Sequence, residues 1–450
     1  MSAPRLQNPN IRRTLLGRSV RNIGGGLAWV LTLTAPLLGC QSNHPDAAQD
    51  LAQAADGSIA LSLIPGQGTS TVPLLAHLAQ LRAAYGKPSC LPDPSCMSPQ
   101  GYGLVNFPMA GLSAFVGTDQ EQVDDRAVVL ALWTQDAAVA APVRVGYTRD
   151  ALINALGVPD NEYGPVLSYA KGVSVTLDKG GLVASVAVFP PYLAQKAAPE
   201  MLPAVEVPEP ASPTESWPRY KLDGEEIDVV DMHLHPGSFG ALGAGIAQSL
   251  TAAVPPFLLP ILPAFTNAVT NPYTPGVGMV AQARRFGFQH LGYLAVWAPA
   301  TVGWYTNSEL SGVIYDVRNV KRPDGRPLAF GFASIFWDNL MDGKLVAQRC
   351  AALESFLSKK DQRIIGIKLA HPHQRVLLAS AATDCVYALA ERYKKPLALH
   401  TGKTPTQGSL DQPEAYDPLY LEEKIKAFPG ATFLLLHVGQ GDLRATNHAL

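Results

Sequence analysis

Two rhythms of apolar residues divide this chain. Between about residues 75 and 190, apolar positions alternate with polar or small ones at a period of two, the pattern of strands with one buried face. In "GVSVTLD" (Gly172–Asp178), Val173, Val175 and Leu177 share a face, and "DKGG" provides the turn into "LVASVAVF" (Leu182–Phe189). An earlier pair, "GLSAFVGTD" (Gly111–Asp119) and "RAVVLALW" (Arg126–Trp133), reads the same way. Each pair follows a helical stretch stopped by Gly and then Pro, "LRAAYGKP" (Leu81–Pro88) and "LINALGVP" (Leu152–Pro159). The pattern predicts two α-β-β repeats forming a small α+β domain over 75–190, its sheet half covered by helices.

After residue 220 the rhythm changes. Apolar runs at Ile227–Met232, Leu291–Val296, Leu328–Ile335, Ile364–Leu369, Leu397–His400 and Thr432–His437 read as strands. Helical spacing separates the later ones: Val346, Cys350, Leu353 and Leu357 share one face, Ala382, Val386, Leu389 and Tyr393 another, and Leu421, Ile425 and Phe428 a third. Alternating βα units with apolar strands predict a parallel sheet, so the fold class is α/β. Between the two rhythms, 191–219 is rich in proline and reads as a stiff linker.

The first residues follow a third logic. Arg5, Arg12, Arg13, Arg18 and Arg21 precede the apolar run "GLAWVLTLTAPLLG" (Gly26–Gly39), a signal-peptide pattern over 1–39. "LLGC" (Leu37–Cys40) resembles the lipobox of bacterial lipoproteins, which implies lipidation of Cys40 and a membrane association through that anchor alone. The implied location is the bacterial cell envelope, on the periplasmic face of the outer membrane. Residues 40–74, rich in Ala, Gln, Ser and Gly, read as a flexible tether. Export favours disulfides, and Cys90 and Cys96 are close enough in sequence to form one. Cys350 and Cys385 fall on apolar helix faces and read as core residues.

An apolar fraction of 47% supplies material for a large core, and a formal charge of −2 gives no field to hold a polyanion. Nucleic acid is therefore not expected as a partner, and a small-molecule substrate is.

The chemistry gathers at strand ends. In "IDVVDMHLHPG" (Ile227–Gly237), alternation aims His233 and His235 to one side of the strand. His400 and His437 end two later strands, and Lys368 shares a face with Gly366 in "IIGIKLA", where a buried amine needs a carboxylate, a metal-bound carbamate or an anionic substrate group. His371 and His373 follow in a loop, as substrate contacts or in solvent. Asp231 shares the parity of the histidines. The stretch from Ala241 to Tyr273 reads as a lid, an apolar wall, or a surface packed on the first domain.

"DMHLHPG", "GIKLAHPH", "LALHTG" and "LLLHVGQ" resemble, in order and spacing, the amidohydrolase superfamily, and within it the amidohydrolase-related branch of metal-dependent hydrolases and decarboxylases. The resemblance covers 220–450. It implies a TIM-barrel-like catalytic domain with a divalent metal, commonly zinc, on His233, His235 and His400, and a proton-handling His437 beside metal-activated water. It implies hydrolysis of a C–N or C–O bond, or decarboxylation by the same metal. The family's strand-eight aspartate has no counterpart after His437, so a barrel lacking strands seven and eight is expected. A non-catalytic envelope lipoprotein that uses the incomplete barrel as a scaffold is the competing expectation.

Overall fold

The sheet of the first half shows why its strands are so apolar: it is covered on both faces. The computed structural model describes residues 61–89, 97–98, 101–118, 123–141, 143–191, 219–316, 327–337, 343–358, 363–404 and 406–449. Cys40, the signal and lipobox positions, Cys90 and Cys96, and nearly all of the proline-rich linker lie outside the described residues.

A short hairpin, β1 (Leu63–Ile64) and β2 (Gly68–Thr69), precedes helix α1 (Leu78–Tyr85), then β3 (Met97–Ser98), β4 (Tyr102–Phe107), β5 (Leu112–Gly117) and β6 (Val128–Thr134). Helix α2 (Arg149–Leu156) is followed by β7 (Asn161–Tyr163), β8 (Val166–Tyr169), β9 (Val173–Leu177) and β10 (Val183–Val188). These form one eight-stranded sheet in the order β3-β4-β5-β6-β10-β9-β8-β7. Each helix is therefore followed by four strands where the alternation predicted two, because the outer strands are too short or too mixed in character to stand out. The last strands of the two halves, β6 and β10, pair antiparallel at the centre.

The predicted tether to residue 74 ends earlier. Leu63, Val72 and Leu74 are buried with Leu78, Leu81 and Leu152, and the Leu63 amide donates to the Ala140 carbonyl at 2.7 Å. Residues 61–74 belong to the first core.

The second half opens with a hairpin of β11 (Tyr220–Leu222) and β12 (Glu225–Ile227), and then β13 (Val229–Leu234). Helices α3 (Ala244–Ala253), α4 (Leu262–Thr270) and α5 (Met279–Phe286) lead to β14 (Phe288–Leu294). A hairpin of β15 (Val296–Ala298) and β16 (Gly303–Tyr305), helix α6 (Asn307–Ile314), β17 (Ala329–Ser334), α7 (Gly343–Leu357) and β18 (Ile364–Leu369) follow. The helical turn α8 (His371–Gln374), α9 (Asp384–Tyr393), β19 (Leu397–His400), α10 (Pro413–Tyr416), α11 (Glu422–Ala427), β20 (Phe433–Leu436) and α12 (Leu443–Ala449) complete it. The main sheet has the order β13-β14-β17-β18-β19-β20, and every pairing in it is parallel.

This sheet is curled. Laid flat, six strands would separate the two edge strands by about 24 Å. Yet the His233 ring at the end of β13 lies 4.6 Å, centroid to centroid, from the His437 ring after β20. The curl makes an inner surface, partly filled by Leu294, Phe332 and Ala398, and an outer surface whose apolar side chains pack with helices in the largest core. Both edge strands keep one unpaired edge among the described residues, and Val230, Met232 and Leu434 stay exposed there. The architecture is mixed α/β with a parallel sheet of partial-barrel shape.

The segment Ala241–Tyr273 packs on the first domain. Ile261, Ala264, Ala268 and Val277 bury themselves against Phe115, Leu130, Trp133 and Phe189 of the eight-stranded sheet. Phe265 sits 5.3 Å from the Tyr102 ring and 5.5 Å from that of Phe115. The expectation of a half-covered sheet is corrected accordingly: this insertion covers the second face. Backbones come so close that a Cβ at Gly117 would lie 2.4 Å from the Pro275 carbonyl oxygen. Cys350 on α7 and Cys385 on α9 are joined as a disulfide, their Cα atoms 6.3 Å apart, and are more than the plain core residues their helix faces suggested.

Candidate functional site: a row of imidazoles around a buried lysine

Each site residue stands at the C-terminal end of a parallel strand, where active sites of curled α/β sheets are built. β13 ends with Leu234, so His233 lies in the strand and His235 just past it. Their Nε2 atoms are 3.2 Å apart. The His437 ring lies 4.6 Å from that of His233 and 4.4 Å from that of His400. The His373 ring lies 4.7 Å from that of His400. Five imidazoles thus run in an unbroken row across the mouth.

His373 and His371 do not reach solvent. "AHPHQ" folds as the turn α8 directly after β18, with proline at its start, and both side chains are buried. His373 Nδ1 is 3.0 Å from the Ser409 Oγ, and its carbonyl accepts from the Thr301 hydroxyl at 3.0 Å. His371 Nε2 lies 3.4 Å from the Tyr387 hydroxyl. The only sequence signal for His373 was its place two residues after His371, just past a strand end.

His437 is held by an unusual backbone. His437, Val438 and Gly439 have φ of 64°, 49° and 69°, a left-handed run that is costly for a β-branched valine. Thr401, the residue after His400, secures it: its hydroxyl donates to the Leu436 carbonyl at 2.6 Å and accepts from the Gly439 amide at 3.1 Å.

Lys368 is 1% exposed, and its Nζ has no hydrogen-bond partner among the described residues. Among the described residues no carboxylate forms an ion pair with it. Burial brings its pKa down to about 7. Burial, then the nearby lysine charge, pushes His235 and His373 down to about 3 and His437 to about 4; His233 and His400 are lowered as well, also chiefly by burial. The row is neutral near pH 7, the form in which imidazole offers a lone pair.

Asp231 is not part of it. The β13–β14 register shifts between Asp231 and Leu234, so Asp231 pairs with Leu291, on the side of the outer core. Its carboxylate accepts from the His233 amide at 3.0 Å, and burial raises its pKa. Strand parity failed here because one irregularity inverts every facing beyond it.

The pair His233 and His235 fits two corners of a metal site. Two nitrogens about 2.05 Å from a tetrahedral ion stand about 3.3 Å apart, close to the 3.2 Å observed. Among the described residues, no group of three or more His, Cys, Asp or Glu side chains is arranged to hold an ion.

No family model matches the chain, and no curated protein matches it. Among solved structures, it is similar to an uncharacterized TIM-barrel protein from Bordetella bronchiseptica, at 12% identity, over 50% of this chain and 71% of that one, with a TM-score of 0.31.

Proposed function

We propose that the curled sheet is an amidohydrolase-type barrel that hydrolyses a C–N or C–O bond of a small molecule with the help of a divalent metal, zinc by its donor set. The observation that carries this reading is the meeting of neutral imidazoles from both edge strands, with two Nε2 atoms at the spacing of ligands on one ion. His233 and His235 would hold the ion, with His400 as the third ligand. When bound, such an ion lowers the pKa of a water and polarises the bond to be cleaved.

The chain's own residues do the rest. His437, neutral and next to both His233 and His400, would take a proton from an attacking water and return it to the leaving group. His373, its Nδ1 next to Ser409, steadies the position of His400. Lys368 brings positive charge beneath the reacting group, and the same charge suits decarboxylation, which needs an anionic substrate. By the lipobox reading, the protein works in the envelope as a lipoprotein.

The test is elemental analysis of the full chain beside a His233→Ala/His235→Ala variant, followed by a panel of esters, lactones and amides. About one ion per chain, lost in the variant, together with turnover, is the expected result. A folded protein that takes up no ion would favour the scaffold reading, with which the absence of a three-donor group among the described residues is in keeping.

A further inference from the structure

On and just past β17 and β18 lie polar groups of which the proposed reaction uses only the charge of Lys368. β17 and β18 pair in parallel with Ser334 opposite Lys368. Just past the ends of these strands, Trp337 and His371 bring their rings to 5.8 Å. All four side chains are more than nine-tenths buried. Ser334 Oγ, Trp337 Nε1, Lys368 Nζ and His371 Nδ1 each have no hydrogen-bond partner among the described residues.

The chemistry of these atoms is one-sided. An indole N–H and an ammonium only donate, and a serine hydroxyl donates readily. Burying such donors with nothing to accept from them is costly, above all for the charged one. No carboxylate of the described residues pairs with the lysine, and a ligand's oxygens would supply an acceptor. One cation and two neutral donors match the two oxygens of a monoanion better than the higher charge of a phosphate group.

We propose that Lys368, Trp337 and Ser334 form a carboxylate-binding subsite, and that the substrate of this site is a small carboxylic acid gripped there while its reacting bond faces the imidazole row. The position of the reacting bond rests on the function proposed above; the binding of the carboxylate does not. Lys368 anchors the charge, Trp337 and Ser334 orient the oxygens, and His371 walls the pocket against α9 through Tyr387.

The test uses acetate as probe and acetamide as its neutral counterpart, with saturation-transfer NMR on the full chain after chelator treatment. Acetate should bind and acetamide should not. Lys368→Met should weaken acetate by about tenfold or more, the loss expected of a charge-assisted hydrogen bond. Trp337→Phe, which keeps an aromatic ring, should weaken it by roughly fivefold. Thermal unfolding of each variant checks the fold. The His233→Ala/His235→Ala variant should keep acetate binding. Equal binding of the two probes, acetate binding unchanged in both subsite variants, or loss confined to the histidine variant would overturn the proposal. So would a carbamate carbon signal at Lys368 in labelled bicarbonate, which would show the amine capped. Metal content and turnover, read separately, decide the hydrolase reading.

Discussion

The Thr401 hydroxyl accepts the amide of Gly439 at 3.1 Å, and so binds the end of β19 to the left-handed turn after β20. With its second bond to the Leu436 carbonyl, it fixes the backbones on which His400 and His437 stand. Thr401→Val keeps the shape and removes both bonds; the Leu436 carbonyl keeps the residue-401 amide as donor, at 3.2 Å, while the Gly439 amide is left without its acceptor. A loss of about 1–3 kcal/mol of stability is expected, with weaker metal uptake than wild type. Denaturant unfolding and elemental analysis check it.

Stability should fall steeply in acid. The folded pKa values of His235, His373 and His437 lie below the ordinary histidine value near 6.5. Their contribution is therefore fully present above about pH 6.5 and is lost as the pH falls toward 4 and then 3, because the unfolded chain takes up protons that the folded one refuses. Lys368 acts in the same direction at higher pH: lowered to about 7, it makes stability rise between about 7 and 10. Unfolding midpoints of chelator-treated protein across this range should rise with pH, and His373→Phe should flatten the acid limb. A midpoint independent of pH between 4 and 7 would show that these groups are charged in the folded state.

The Cys350–Cys385 disulfide closes a loop with a sequence separation of 35. Such a link stabilises by about 3–4 kcal/mol in the chain-entropy account. Neither thiol should react with an alkylating reagent until reductant is added, and Cys350→Ala/Cys385→Ala should lower the unfolding midpoint by several degrees.

Phe265 ties the insertion to the eight-stranded sheet. Phe265→Ala removes its edge contacts with Tyr102 and Phe115 and should cost about 3 kcal/mol. Calorimetry should then show a broader or more clearly split unfolding transition in the variant than in the wild type, as the two halves lose part of their shared core.

What could be read along the chain was whatever depends on neighbours in sequence. Apolar runs bounded by turn residues placed the six parallel strands to within about three residues, and put His233, His400 and His437 at or beside their ends. Helical spacing correctly turned Cys350, Leu353 and Val386 inward. It failed for Ile425, exposed on the short α11, where a single turn leaves little of a face to bury.

The tertiary structure decided the rest, because it depends on contacts between residues far apart in sequence. A helix face says that Cys350 points inward, but not that Cys385 meets it. Strand parity aligned Asp231 with the histidines, until a register irregularity set it on the other side. His373 was one of two histidines in a loop until the turn after β18 pressed it against His400, and nothing local marked Ser334 as the residue opposite a buried lysine. The sequence alone established which residues stand at strand ends; only the curl of the sheet, set by packing on both of its faces, decided which of them meet.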